Sequence, residues 1–118
     1  MAKATSAMAI HNWSEDVILV NLPPKLEDED DLQTAIDMVR EKGARNVVID
    51  FSHVDVAGGA TFSRLLQLRQ MLQGSGHKVV LCGLSPATKG VFSITQLDSV
   101  FEFVDDRFAA LARVQIMA

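Results

Sequence analysis

A chain of 118 residues has room for one modest hydrophobic core and a single domain of ordinary size. Its apolar fraction of 48% and charged fraction of 22% fit a globular chain, and a net charge of −4 with scattered Lys and Arg argues against a nucleic-acid partner. The single cysteine, Cys82, excludes an internal disulfide, and no apolar run is long enough to span a bilayer, so the expected setting is cytoplasmic, with no direct membrane insertion.

Residues 1–8 are small and polar and are expected to be a flexible terminus ahead of one domain over 9–113, with 114–118 as a tail. Ile10 to Trp13 and Val17 to Leu22 read as two strands joined by a turn at Ser14-Glu15-Asp16. Pro23-Pro24 cannot continue the ladder or start a helix interior, so the chain leaves the sheet there. Leu32, Ala35, Ile36 and Val39 recur at helical spacing, giving an amphipathic helix that ends at Gly43. Asn46 to Phe51 is a strand apolar on both faces. Thr61 to Gln73 is a second helix, stopped by Gly74-Ser75-Gly76. Lys78 to Cys82 is again an apolar strand, and two such runs predict central positions in a sheet covered by helices. Ser85-Pro86 has the chemistry of an N-cap and first turn, opening a third helix that carries Val91, Phe92 and Thr95 inward. Phe101 to Val104 is a short last strand, and Asp105-Asp106 opens a terminal helix with Phe108, Ala109, Leu111 and Ala112.

The segment Asn46 to Leu72, NVVIDFSHVDVAGGATFSRLLQLRQML, holds the candidate site. A strand ends there in an exposed loop and then a helix N-terminus, an order that brings free backbone N–H groups together. The segment resembles the central motif of the STAS domain family, V-V-L-D-L-S-G-V-D-F-I-D-S-S-G-L-x-x-L-L. Placed without gaps, Asp50, Ser52, Val54, Asp55, Phe62, Leu65 and Leu66 match. Val17 to Leu26, Lys78 to Ser85 (KVVLCGLS) and Gln96 to Phe101 (QLDSVF, with Gln96 where the family has Gly) resemble further family segments in the right order. The resemblance implies a single α/β domain: a mixed β-sheet with about four helices packed mainly on one side, in the order β-β-α-β-α-β-α-β-α. It also implies a non-catalytic regulatory module that binds a protein partner, an anti-sigma factor or kinase-like regulator.

The family's phosphorylation motif is degenerate here. Its D-S-S-G falls on Gly58-Gly59-Ala60-Thr61, so the aspartate and serine positions are both glycine. Neither offers a hydroxyl. Thr61 and Ser63 are the nearby hydroxyls, each a possible displaced phosphoacceptor, with Thr61 also readable as a helix cap or core residue and Ser63 as a solvated one. Leu65, Leu68, Leu72 and Thr61 form one narrow stripe suited to the core, while Phe62 and Leu66 turn away from it on the side of Arg69 and Gln73. Two readings of Phe62 follow: a docking residue beside Leu66, or a core residue. The expected partner-binding set is Asp55, Val56, Gly58, Gly59, Thr61, Phe62, Ser63, Arg64 and Leu66. An accessory subunit of a membrane transporter or larger signalling assembly is the alternative in the same family.

Enzyme constellations are poor. His11, His53 and His77 lack metal-ligand spacing, Cys82 sits mid-strand as a small hydrophobe, and the acidic run Glu27 to Asp31 complements a helix N-terminus without the pattern of a calcium loop. Gly58-Gly59 precedes no Walker-type lysine. No cofactor or metal is expected.

Overall fold

The computed structural model describes residues 10–14, 16–22, 30–54 and 59–117. Strands β1 (Ile10–Ser14), β2 (Val17–Asn21), β3 (Asn46–Asp50), β4 (Val79–Cys82) and β5 (Glu102–Val104) form one sheet in that spatial order. β1 and β2 pair antiparallel as a hairpin, and the pairs from β2 onward are parallel. The helices are α1 (Asp30–Lys42), α2 (Gly59–Gln73), α3 (Pro86–Ile94) and α4 (Arg107–Met117), with a 3₁₀ turn at Leu97–Ser99. The expected element order and the central place of the 47–51 strand are both found. The boundaries at Pro23-Pro24 and the 1–8 terminus lie outside the described residues.

Strand alternation explains why the sheet is covered twice. Ile18, Val20, Val47, Ile49, Val79 and Leu81 point to the face that packs on α1, α2 and α3. Val17, Leu19, Val48, Val80 and Cys82 point to the other, where they meet Ala110, Leu111 and Val114 of α4. The uninterrupted apolar runs of β3 and β4 therefore serve two layers, as parallel strands require. Three helices lie on one side and one on the other.

Local signals set the helices. Leu32, Ala35, Ile36 and Val39 of α1 are all buried, and the helix closes where the Gly43 amide donates to Val39 O at 3.1 Å. Ser85 N-caps α3: its Oγ accepts from the Thr88 amide at 3.2 Å, with Pro86 in the first turn. The buried Asn46 joins three strands at their starts, its amide donating to Asp16 O at 2.8 Å and its Oδ1 accepting from the Lys78 amide at 2.9 Å.

Three expectations need correction. Thr95 is exposed, because its hydroxyl donates to Val91 O at 2.8 Å in the last turn of α3 instead of turning inward. In α4 the inward residues are Ala110, Leu111 and Val114, while Phe108 is 69% exposed and Ala109 and Ala112 face solvent. That helix meets only one layer of strand side chains, so a narrow stripe is enough to seal it. It also runs past residue 113 to Met117, with Val114 fully buried.

Gln96 holds a left-handed backbone, φ 62° and ψ 21°, between α3 and the 3₁₀ turn. This is the position where the resembled motif carries glycine. A side chain there costs about 1 kcal/mol against glycine. Gln96→Gly is expected to stabilise the chain by about that amount and raise Tm by roughly 4 °C. A melting curve that does not move, or falls, would show the turn to be unstrained.

Candidate functional site

β3 ends in a tight turn that consumes its own polar groups. The Asp50 carboxylate accepts from the Ser52 amide at 2.9 Å and from the Ser52 hydroxyl, and the Val54 amide donates to Phe51 O at 2.9 Å. Strand β4 braces the turn from the side, since Phe51 N donates to Cys82 O at 2.8 Å. Asp50 is thus a turn-forming carboxylate, 8% exposed and fully engaged with its neighbour. Residues 55–58, with Asp55, Val56 and Gly58, lie outside the described residues, and Gly59 is the first residue of α2.

Along α2 the inward stripe is as expected: Thr61, Leu65, Leu68 and Leu72 are between 0% and 1% exposed. Phe62 joins them at 8%, its ring edge-on to Phe92 of α3 with centroids 4.7 Å apart. Of the two readings of Phe62, the core one holds. Phe62 and Leu66 do not share a surface, because Leu66 is 39% exposed. The wide buried side of α2 arises because the helix is wedged between α1 on one flank and the aromatic cluster of α3 and β5 on the other. Arg69 is not part of the Leu66 surface either. Its Nε donates to Val100 O at 3.2 Å, drawing the side chain toward β5.

The remaining face of α2 is formed by Ala60, Ser63, Leu66, Gln70 and Gln73, all exposed and spaced three or four residues apart. None is charged. On α1, by contrast, the exposed set includes Arg40, Glu41 and Lys42. Arg64 stands beside this face, half-buried, and its Nε is buried with no hydrogen-bond partner among the described residues. Of the two hydroxyls near the motif, Thr61 is fully buried and Ser63 is exposed. Only the second hydroxyl faces solvent.

Chemistry elsewhere is sparse. His53 is exposed in the turn after β3, whereas His77 lies at the other end of the sheet, before β4. Among the described residues no group of His, Cys, Asp and Glu is gathered closely enough to hold a metal ion. No helix among them is long and apolar enough to cross a membrane.

Cys82 is buried, its thiol directed at Ile49 O at 3.7 Å. Burial, reinforced by the negative charges of Asp50 and Asp106, pushes the thiol up to about 12. A raised folded-state value means that the unfolded chain loses this proton first as pH rises. Stability should therefore fall by about 1.4 kcal/mol per pH unit between about pH 9 and 12 from this group. Cys82→Ala should remove that part of the alkaline slope in urea titrations run at successive pH values. Identical slopes in the two proteins would mean that the thiol ionises freely in the folded state.

The sequence model of the family described as STAS domain matches residues 26–110. BtrV of Bordetella bronchiseptica, which carries the name of an anti-sigma factor antagonist, is 33% identical over 72 residues, 61% of this chain and 62% of that protein. The match thus spans less than two thirds of that relative's length. Two of the solved structures that share the fold are similar over most of the chain. One is an anti-sigma-factor antagonist (STAS) domain protein from Planctomyces limnophilus, 22% identical with a TM-score of 0.73 over 84% of this chain and 91% of that one. The other, from Thermotoga maritima, also bears the name of an anti-sigma factor antagonist and is 17% identical with a TM-score of 0.78 over 93% and 97%.

Proposed function

The chain belongs to the STAS domain family, and from that premise we propose that it is a non-catalytic, protein-binding regulator of the anti-sigma-factor-antagonist kind. One observation carries the reading: the five exposed residues of this face of α2, Ala60, Ser63, Leu66, Gln70 and Gln73, include no charge in a chain that is 22% charged, and the half-buried Arg64 stands at their edge. Interface centres are depleted in charge in this way, because each charge buried there must be desolvated. Leu66 supplies apolar area, and Arg64 supplies a donor that a partner's acceptor can satisfy. The docking surface in this proposal is Ser63, Arg64 and Leu66, together with Asp55, Val56, Gly58 and Gly59 of the segment that leads into α2. Thr61 and Phe62, both buried, hold this turn of helix in place and do not touch the partner. The proposed partner is an anti-sigma factor, as the names of the relatives suggest, or a kinase-like regulator, as the family resemblance implies.

Because Gly58, Gly59 and Ala60 have no hydroxyl, a kinase cannot place a phosphate at those three positions. The proposed module is therefore constitutive unless Ser63 takes that role.

The test has two stages. Wild-type chain and Leu66→Asp are used as bait in a host lysate, and captured proteins are identified by mass spectrometry. An anti-sigma factor retained only by the wild type is the expected result. Binding to that partner is then measured by calorimetry for Gly59→Asp and Gly59→Ala. The aspartate should weaken binding by ~1–3 kcal/mol through an unpaired charge at the contact, and the alanine by much less. Capture of transporter subunits instead would favour the accessory-subunit alternative. Equal capture and equal affinity for all variants would show that the partner docks elsewhere.

A further inference from the structure

The opposite end of the sheet, where β4 and β5 begin and α2 ends, holds a cavity of about 310 Å³ that the docking surface does not use. Its floor is apolar, from Val79, Val100 and Phe101, and its rim carries Arg69, His77 and Lys78. Arg69 is half-buried, oriented by the bond from Nε to Val100 O, and makes no ion pair among the described residues. The remaining N–H groups of its fork stay available to a ligand. Glu102 is the acidic residue of the rim, and it is already shared by two cations: Lys78 Nζ at 2.9 Å and the Arg113 guanidinium. Among the lining residues two positive charges, Arg69 and Lys78, stand against Glu102, a net of one positive charge in a chain whose net charge is −4, and Arg113 offsets Glu102 further from outside the cavity. The carboxyl end of α2 would oppose an anion, but the Leu72 carbonyl there is covered by the Ser75 amide at 3.1 Å and hydroxyl at 2.8 Å.

The geometry points to a binding site for a small molecule with an oxyanion head, phosphate or carboxylate, and an apolar body. The Arg69 fork takes the head, with Lys78 and His77 beside it, and Val79, Val100 and Phe101 take the body. A planar guanidinium held from one side by a carbonyl is suited to paired hydrogen bonds with such a head. The volume is at the small end of the range for ligand sites, which limits the ligand to about the size of an aryl phosphate or aryl carboxylate. The site is independent of the docking surface and requires no partner.

Phenyl phosphate, benzoate and phenol are the probes, titrated into the labelled chain and followed by amide chemical shifts. Phenyl phosphate, benzoate or both should move the amides of Gly76 to Val79 and of Val100 to Glu102 at millimolar concentrations. The stronger of the two identifies the head, and neutral phenol should not bind. Arg69→Gln should weaken binding at least about tenfold, and Arg69→Lys, which keeps the charge without the fork, should be intermediate. Phe108→Ala, on the helix that covers the opposite face of the sheet, should leave probe affinity unchanged. The proposal is overturned if neither anion moves these amides, if phenol binds as well as they do, or if Arg69→Gln folds normally and binds equally.

Discussion

Phe92→Ala is expected to cost about 3–5 kcal/mol and to lower Tm by roughly 12–20 °C. Phe92 is 1% exposed and is the ring on which three other phenylalanines converge: Phe62 at 4.7 Å, Phe103 at 5.1 Å and Phe101 at 5.9 Å between centroids, each edge-on. Its removal takes away the buried area of one large side chain and three aromatic contacts together. The rings belong to α2, α3, β5 and the residue before β5, so the cavity cannot close without moving secondary structure. The proper control is Phe108→Ala. That ring is 69% exposed, with the Arg107 guanidinium 5.6 Å from its centroid, and its loss should change stability by no more than about 0.5 kcal/mol. Similar losses for the two variants would mean that α3 is not docked through Phe92. The experiment also bears on the proposed docking surface, because Phe62 sits one residue before Ser63 and is held by the same ring.

Gly83→Ala should be the next most damaging change, by about 2–4 kcal/mol, although it adds a single methyl group. Gly83 has φ +70°, where a side chain is strained in any surroundings. The surroundings are also full. A Cβ at this position would sit 2.9 Å from Ser52 Oγ, 3.0 Å from Asp50 Oδ1 and 3.1 Å from the Ser52 amide nitrogen. The hydroxyl can rotate away, but the amide belongs to the turn that Asp50 holds closed. The Gly83 amide is itself fixed on Asp105 O at 3.1 Å, so retreat in the other direction is opposed. Adding Ser52→Ala to Gly83→Ala should recover only part of the loss, since the φ strain and the amide contact remain. Urea midpoints for the single and double variants test this directly. Full recovery in the double variant would assign the whole effect to the hydroxyl, and no loss in the single variant would refute the close packing of β4 on the turn.

Much of the architecture was legible because it follows from short-range rules. The doubly apolar runs at Val47 to Phe51 and Val79 to Cys82 require cover on both faces, so their central place follows from composition and strand alternation. The cap at Ser85-Pro86 and the stripe of Leu32, Ala35, Ile36 and Val39 are local patterns that tertiary structure had only to accept. The loss of the motif hydroxyls is covalent fact. Even the left-handed turn at Gln96 was marked by its alignment with a family glycine.

Tertiary structure decided the rest. Phe62 and Leu66 are four residues apart on one helix, yet one is core and the other surface, because only the first faces the Phe92 ring. Phe92 and Phe108 are the same amino acid near the same kind of apolar neighbours, and their fates differ because α3 meets an aromatic layer while α4 meets a narrow strip of valines. Arg69 looked like part of the docking side until the Val100 carbonyl drew it away. The cavity it lines joins the end of α2 and the start of β4 to Val100, Phe101 and Glu102, more than twenty residues further along, and no periodicity within any one of these segments records that meeting. A pattern read along the chain fixes which faces are apolar, but which neighbour each face meets depends on strand order and helix placement, and those are set by the packing of the whole domain.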